Sequence, residues 1–201
     1  MKKPISYFLG EGVLIVFSIL LALGVNEWRL RSGEAGEERK AIADIKSELM
    51  ENHNLLEDIP GYHREVSDAL MKEITGLAPN DPRTPIEIFS GLDVLRSTVL
   101  IDQLPQNVTW QVAKDRGIVG RFDYETAKAL ARTYDHQQAG VMLLYEDIAE
   151  LLIRSEMFIP ENQGPTLMPL AAAFSELASR EQLLVKMQRQ NIDALGGAGG
   201  R

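Results

Sequence analysis

The chain has no cysteine among its 201 residues. This absence excludes disulfides, thiolate metal sites and cysteine nucleophiles, and it is compatible with either side of a bacterial membrane. The chain also lacks an excess of positive charge, since 29 Asp and Glu outnumber 21 Lys and Arg, the net charge is −8 and the sequence pI is about 5.0. An acidic protein repels phosphate backbones and anionic lipid, which argues against nucleic acid as a partner.

Motifs that carry catalysis are missing as well. The sequence contains no GxSxG, no Walker-type glycine loop, no HExxH and no GxGxxG. Its three histidines are His53, His63 and His136. His53 and Glu57 stand four residues apart with His63 beyond them, so a metal site is conceivable, but such sites need three or four converging ligands. We therefore interpret the histidines as solvated surface residues, and we predict no catalytic residue, no metal and no cofactor.

What the chain does have is one long apolar run, Ile5–Val25. As a helix this run is about 31 Å long, and a bilayer core is about 30 Å thick. Trp28 follows at the position of an interfacial belt. We predict an uncleaved transmembrane anchor over residues 1–28. The alternative is a signal peptide with a weak cleavage site at Ala22-Leu23-Gly24, which Glu11 inside the apolar region disfavours.

Glu11 is the unusual residue of this run, since a carboxylate at mid-membrane costs on the order of 2.5–3.5 kcal/mol. At about 100° per residue it shares one helix face with small and polar residues. The members of this face are Glu11, Ile15, Ser18, Ala22 and Asn26. Ser18 and Ala22 form a small-xxx-small pair, which lets two helices approach closely. One interpretation is a helix-association face with Glu11 hydrogen-bonded across it; the other is a chance pattern with Glu11 at headgroup level.

The orientation of the anchor is predicted from its flanking charges. A bare count of Lys and Arg favours a cytoplasmic C-terminal domain, because two basic residues precede the run and four follow it closely. A short basic N-terminus is instead typical of an anchor whose N-terminus stays inside, and glutamates interrupt the downstream basic residues. We predict a bacterial inner-membrane protein with a periplasmic domain, and a cytoplasmic domain is the alternative.

Residues 29–40 contain Gly33 and Gly36 and predict a juxtamembrane hinge. The following helix carries an apolar seam with heptad spacing, at Ile42, Ile45, Leu49, Asn52, Leu56 and Ile59. A single Asn in such a seam often sets register or oligomeric state. The seam therefore has two interpretations. In one it forms an intermolecular coil, with Asn52 as a further helix-association residue; in the other it packs on its own domain.

The rest of the chain predicts an all-α fold, because no segment alternates apolar and polar residues over more than four positions. We expect a transmembrane helix, then a helical bundle with a long juxtamembrane coiled-coil-like helix. The bundle domain is predicted at 41–192 and a flexible Gly-rich tail at 193–201. Pro60-Gly61 predicts the end of the first soluble helix. Later helices are expected at 62–75, 85–96, 108–116, 124–158 and 168–192.

The N-terminal residues resemble an uncharacterised family of bacterial single-pass membrane proteins, a domain of unknown function. The residues that carry the resemblance are Gly10-Glu11, the Leu-Ile-Val run that follows, Ala22-Leu23 and Asn26-x-Trp28. The similarity covers residues 7–60, and more loosely 105–135, where Thr109-Trp110 and a helix with Tyr134 occur. It implies a membrane-anchored helical domain and brings no catalytic residues.

Together these patterns predict a single-pass membrane protein that acts through protein–protein contacts. Its partners would be the lipid bilayer and either further copies of itself or another membrane protein, as an oligomeric scaffold or an accessory subunit. The alternative is an extracytoplasmic ligand-sensing bundle, which needs an apolar pocket between helices. A membrane-bound metal-dependent hydrolase that uses His53, Glu57 and His63 is the third alternative.

Overall fold

The computed structural model describes residues 5–78, 80–101 and 103–198, with side chains described between residues 17 and 197 of these ranges. Within this part of the chain all regular structure is helical, which confirms the all-α class. The α-helices are α1 (Ile5–Leu56), α2 (Ile59–Gly76), α3 (Pro85–Ser90), α4 (Val108–Asp115), α5 (Tyr124–Asp135), α6 (Leu143–Ile153) and α7 (Gln163–Ala198). A π-helical segment, His136–Met142, joins α5 to α6, and 3-10 turns occupy Ile118–Arg121, Ser155–Phe158 and Pro160–Asn162.

Helix α1 continues through residues 29–40, where the sequence predicts a hinge. Gly33 and Gly36 each weaken a helix by roughly 1 kcal/mol relative to alanine, but neither removes a backbone hydrogen bond. Arg121 contacts this segment from the bundle, with Nη1 3.2 Å from Glu37 Oε2 and Nη2 3.9 Å from Glu34 Oε1. Both glycines therefore lie within one continuous helix, and the chain does not leave the helix at the predicted hinge.

Among the residues that the structure describes, no helix is both long enough and apolar enough to cross a membrane. The predicted span Ile5–Val25 lies only partly among them, because the side chains before Phe17, that of Glu11 included, are outside the described residues.

Several helix starts follow the caps that the sequence encodes. At α3, Thr84 Oγ1 accepts a hydrogen bond from Glu87 N, and Glu87 Oε2 accepts one from Thr84 N at 2.8 Å, which is a capping box. The bond from the Thr84 backbone holds the pKa of the Glu87 carboxyl below its ordinary value. At α5, Asp123 Oδ1 accepts from Thr126 N at 3.0 Å. Gly117, just after α4, adopts a left-handed φ of 69°, as its predicted role in ending that helix requires.

Other predicted boundaries are wrong, mostly at prolines. Helix α1 already ends at Leu56, and Pro60 lies in the first turn of α2. Proline is tolerated in a first turn because the N–H that it lacks has no intrahelical partner there. Pro169 lies inside α7, which is longer at both ends than the predicted 168–192. The expected flexible tail at 193–201 is helical as far as Ala198, since Leu195 is buried.

The single helix predicted at 124–158 is divided by the π-helical segment. Inside this segment a Cβ atom on Gly140 would lie 2.8 Å from Nδ1 of His136, so only glycine fits against the ring. The ring is held in place because His136 Nε2 donates to Arg180 O at 2.9 Å. Helix α3 is also shorter than the predicted 85–96, because the chain turns at Gly91. Neither interruption has a proline to mark it in the sequence.

The bundle has two hydrophobic clusters. The large cluster joins α2, α3, α6 and most of α7, and its fully buried members include Leu70, Ile88, Ile148, Leu170 and Phe174. The small cluster joins α1, α4, α5 and the end of α7, and includes Ile45, Leu49, Trp110, Leu130 and Leu195. Ala41 is the first buried residue of α1 among those described. Residues 17–33 of α1 are all exposed and extend away from the bundle.

Candidate functional site

A layer of buried polar side chains separates the two clusters. Three helical segments pass from one cluster to the other at this level, between Leu49 and Leu56, between Tyr134 and Val141, and between Leu195 and Leu184. The side chains found there define what we call the polar layer: Asn52, His53, Gln137, Gln188 and Asn191, all buried. A polar layer in an otherwise apolar bundle fixes which residues face one another, because other registers leave polar groups without partners.

Asn52 and Gln137 bind the backbone of the segment that precedes α4. Asn52 Nδ2 donates to Gln106 O at 2.6 Å, and Gln106 N donates to Asn52 Oδ1 at 2.7 Å. Gln137 Nε2 donates to Gln106 O at 3.1 Å and to Pro105 O at 3.2 Å. The Asn52 amide is thus hydrogen-bonded within its own chain, and the apolar seam of α1 packs on its own domain.

Glu48, one turn before Asn52, caps helix α4 from outside. Glu48 Oε2 accepts from Thr109 N at 2.7 Å, and Oε1 accepts from Tyr134 OH at 2.7 Å. A carboxylate at a helix N-terminus binds free N–H groups and offsets the helix dipole. Burial, followed by the bond to Glu48, raises the pKa of Tyr134 well above its ordinary range. Tyr134 also stacks on Trp110, with ring centroids 5.2 Å apart.

The far side of the polar layer is only partly hydrogen-bonded. Asn191 Nδ2 donates to Thr133 Oγ1 at 2.7 Å. Gln188 is fully buried, and within the described part of the chain neither Nε2 nor Oε1 has a hydrogen-bond partner. Nδ1 of His53 is also buried without one. Burying an amide without a partner is unfavourable by about 1–3 kcal/mol.

A second polar cluster lies inside the large hydrophobic cluster and consists of His63, Glu181 and Tyr145. His63 Nδ1 lies 2.8 Å from Glu181 Oε2, and His63 Nε2 lies 3.2 Å from Leu100 O. Tyr145 OH donates to the other oxygen of Glu181. Burial and the adjacent carboxylate raise the pKa of Tyr145 well above its ordinary range. Both ring nitrogens of His63 therefore lie within hydrogen-bond distance of an oxygen atom.

This histidine–carboxylate pair has the composition of a general base but not its accessibility. His63 and Glu181 are fully buried, and every polar atom of the pair already has a partner. A general base must reach a substrate proton within hydrogen-bond distance. The cluster therefore links α2, α6, α7 and the backbone at Leu100 through hydrogen bonds.

The prediction of solvated surface histidines is wrong for His53 and His63, and His136 is half-buried with its ring bonded to Arg180 O. His53 and His63 are buried, because each lies on the inner face of its helix. His63 pairs with Glu181 and not with His53 or Glu57. In the residues that the structure describes, no group of three potential ligands could hold a metal ion.

The exposed part of α1 is the other candidate site. Its large apolar side chains are each more than half exposed: Phe17, Ile19, Leu20, Leu21, Leu23, Val25, Trp28 and Leu30. At about 100° per residue they are distributed around the helix except along one face of roughly 120°. That face holds Ser18, Ala22 and Asn26, three of the predicted association residues, which line an open groove together with Arg29.

This groove continues toward the bundle. A second groove begins at the same Asn26 and Arg29 and runs past Gly33 to Glu37. Glu37 also lines a cleft of about 200 Å³ between α1 and α4, which reaches Asp44. The predicted association residues Ser18, Ala22 and Asn26 thus lie together. Asn52 is away from them in the polar layer, and Glu11 lies outside the described side chains.

The site residues predicted from the sequence do not include Glu48, Gln137, Glu181 or Gln188. For α7 a signal was present, because Leu177, Glu181, Leu184, Gln188 and Leu195 continue one heptad-spaced stripe. Polar residues within such a stripe predict buried polar contacts. For Glu48 no comparable signal exists, since its partners Thr109 and Tyr134 are distant in the sequence.

No protein family, no curated protein and no solved structure matches this chain.

Proposed function

We propose that this chain is a membrane-anchored helical protein that acts through protein–protein contacts and not through catalysis. The first 25 residues or so enter the bilayer, and the bundle from Ala41 onward lies beside the membrane. The resemblance to single-pass membrane proteins leads to the same proposal.

The observation that supports this proposal most directly is the apolar surface of α1 between Phe17 and Leu30. Fully burying one large apolar side chain is worth about 1.5–3 kcal/mol, so covering eight of them is worth on the order of 10 kcal/mol. Large apolar side chains around about two-thirds of the circumference of an exposed helix are typical of a segment that another apolar environment covers. One flat protein surface covers one side only, whereas a bilayer covers every side at once.

The buried polar clusters support the non-catalytic part of the proposal. Their side chains are enclosed and mostly engaged with one another, which suits the stiffening of a bundle. The ligand-sensing alternative needs an enclosed apolar pocket, and the cleft between α1 and α4 is open with charged residues at its rim. These features therefore support protein–protein contacts through exposed surfaces more than ligand sensing.

The anchor is tested by extraction of membranes with alkaline carbonate. We expect the full chain to stay with the lipid, and complete release into the soluble fraction would contradict the proposal. Phe17→Arg combined with Ile19→Arg should weaken retention, because both positions lie well inside the predicted span Ile5–Val25 and a charge at mid-membrane costs about 2.5–3.5 kcal/mol. Ile153→Arg, at an exposed apolar position of the bundle, is the matched control and should leave retention unchanged.

The side of the membrane is tested separately. Because the chain has no cysteine, Gln182→Cys places a single thiol on the exposed surface of the bundle. Labelling of intact cells by a membrane-impermeant maleimide is expected for a periplasmic domain. Labelling only after lysis would establish the cytoplasmic alternative.

A further inference from the structure

The residues on the face of α1 that lacks large apolar side chains follow a regular spacing. Its residues occur at 18, 22, 26, 29, 33, 37, 40 and 44, with spacings of 4, 4, 3, 4, 4, 3 and 4. We call this set the α1 stripe. The pattern repeats every 11 residues, or about 3.67 residues per turn, which is close to the period of a straight helix. Glu11 stands 11 residues before Ala22 in the sequence and continues the same spacing.

Four polar side chains of the α1 stripe are available for contacts with another chain. Asn26, Arg29, Lys40 and Asp44 make no hydrogen bond or ion pair among the side chains that the structure describes, whereas Glu37 is bound by Arg121. An amide such as Asn26, flanked by apolar side chains on both sides, gains from a partner that also offers a donor and an acceptor. A second Asn26 is such a partner.

The charges on the α1 stripe are complementary to themselves when two copies lie in parallel. Lys40 has Glu37 three residues before it and Asp44 four residues after it. In a parallel pair with equal residues at equal heights, Lys40 is opposite Lys40 of the other helix, and Glu37 and Asp44 of the other helix lie one turn before and one turn after it, within reach of the long lysine side chain. Interhelical ion pairs of this kind set partner choice and orientation. Arg29 likewise lies one turn beyond the partner helix's amide at position 26.

We infer that the α1 stripe binds the same stripe of a second copy of this chain, in parallel and in register. This inference rests on the proposed function, because one shared membrane makes two anchors parallel. The small residues Ser18, Ala22 and Gly33 allow the backbones to approach closely. The 11-residue repeat predicts a nearly straight pair with a slight right-handed twist. Lys40 and Asp44, the last residues of the α1 stripe, line the cleft between α1 and α4, so the contact between the two copies ends there.

Disulfide crosslinking tests the inference in the full chain, in membranes. Since no native cysteine interferes, Ala22→Cys, Asn26→Cys and Gly33→Cys each place one thiol in the stripe. A disulfide between equal positions requires Cβ atoms about 3.5–4.5 Å apart. We expect several-fold more covalent dimer from these variants than from Leu20→Cys and Ala35→Cys on the opposite face. Equal or absent crosslinking at all five positions would overturn the inference.

Charge exchange gives an independent readout. Asp44→Lys should reduce the crosslinking of Gly33→Cys several-fold, and adding Lys40→Asp in the same chain should restore it. A reduction that the second exchange does not reverse would contradict the proposed pairing. A complex whose mass in mild detergent includes a different chain would identify a foreign partner and also overturn the inference.

The same cysteine variants separate the two proposals. If they remain in carbonate-washed membranes without crosslinking, the second-copy inference fails while the anchor stands. If carbonate releases them and they still crosslink at the stripe, the anchor fails while the pairing stands.

Discussion

His63 and Glu181, 118 residues apart in the chain, meet as a fully buried pair with Nδ1 2.8 Å from Oε2. Replacing one partner of a buried pair leaves the other uncompensated and costs about 3–5 kcal/mol. We expect this loss in the free energy of unfolding for His63→Ala and for Glu181→Ala, measured by urea titration of the full chain in detergent. The double variant should lose less than the sum of the two. Glu176→Ala, which breaks only the exposed pair with Arg180, should change stability by about 1 kcal/mol or less.

Tyr134 and Tyr145 make the protein sensitive to high pH. Burial and the neighbouring carboxylates raise the pKa of both hydroxyls in the folded state above the ordinary value near 10. Their contribution is complete below pH 10 and is lost as the pH rises above it, because the unfolded tyrosines then ionise first. Each tyrosine adds about 1.36 kcal/mol per pH unit to this fall, so the pair gives about 2.7.

The measurement is the free energy of unfolding between pH 8 and 11.5. Replacing both Tyr134 and Tyr145 with Phe should lower stability at pH 8, since the bonds to Glu48 and Glu181 are lost, but should flatten the alkaline slope. Tyr124→Phe, at a position 74% exposed, is the control and should keep the slope of the unmodified chain. An unchanged slope in the double variant would show that these hydroxyls do not cause it.

The elements that the sequence predicts correctly are those with local causes. The capping box at Thr84 and Glu87, the cap at Asp123 and the turn at Gly117 each depend on residues within a few positions. The all-α class likewise follows from helical periodicity. The polar contacts depend instead on residues far apart: Asn52 binds Gln106, and Tyr145 binds Glu181. The sequence pattern of one helix does not identify the residue of another helix that its polar side chains will contact. For this reason the sequence allows two interpretations of Asn52.

The π-helical segment also depends on a contact from another helix, although the two residues that cause it are only four positions apart. Gly140 is close to the ring of His136, and that ring is fixed by Arg180 O on another helix. Gly140→Ala would place a Cβ 2.8 Å from Nδ1. We expect it to destabilise the fold by about 1–3 kcal/mol, the usual effect of overpacking. Gly120→Ala, with open space around the added Cβ, should be nearly neutral. Adding His136→Ala should recover part of the loss at Gly140, and no recovery would mean that the ring is not the obstacle.

Gln188 provides the last test, because the polar layer predicts opposite effects at two neighbouring positions of α7. Its amide is fully buried without a hydrogen-bond partner among the described residues. Gln188→Met keeps the volume and removes the unpaired groups, so the free energy of unfolding should rise by about 1–3 kcal/mol. Asn191→Leu removes the bond to Thr133 Oγ1 and leaves a buried hydroxyl without it, so stability should fall by a similar amount. If Gln188→Met instead destabilises the full chain in the same urea titration, the amide has a bound partner, and a high-resolution structure of the polar layer should show it.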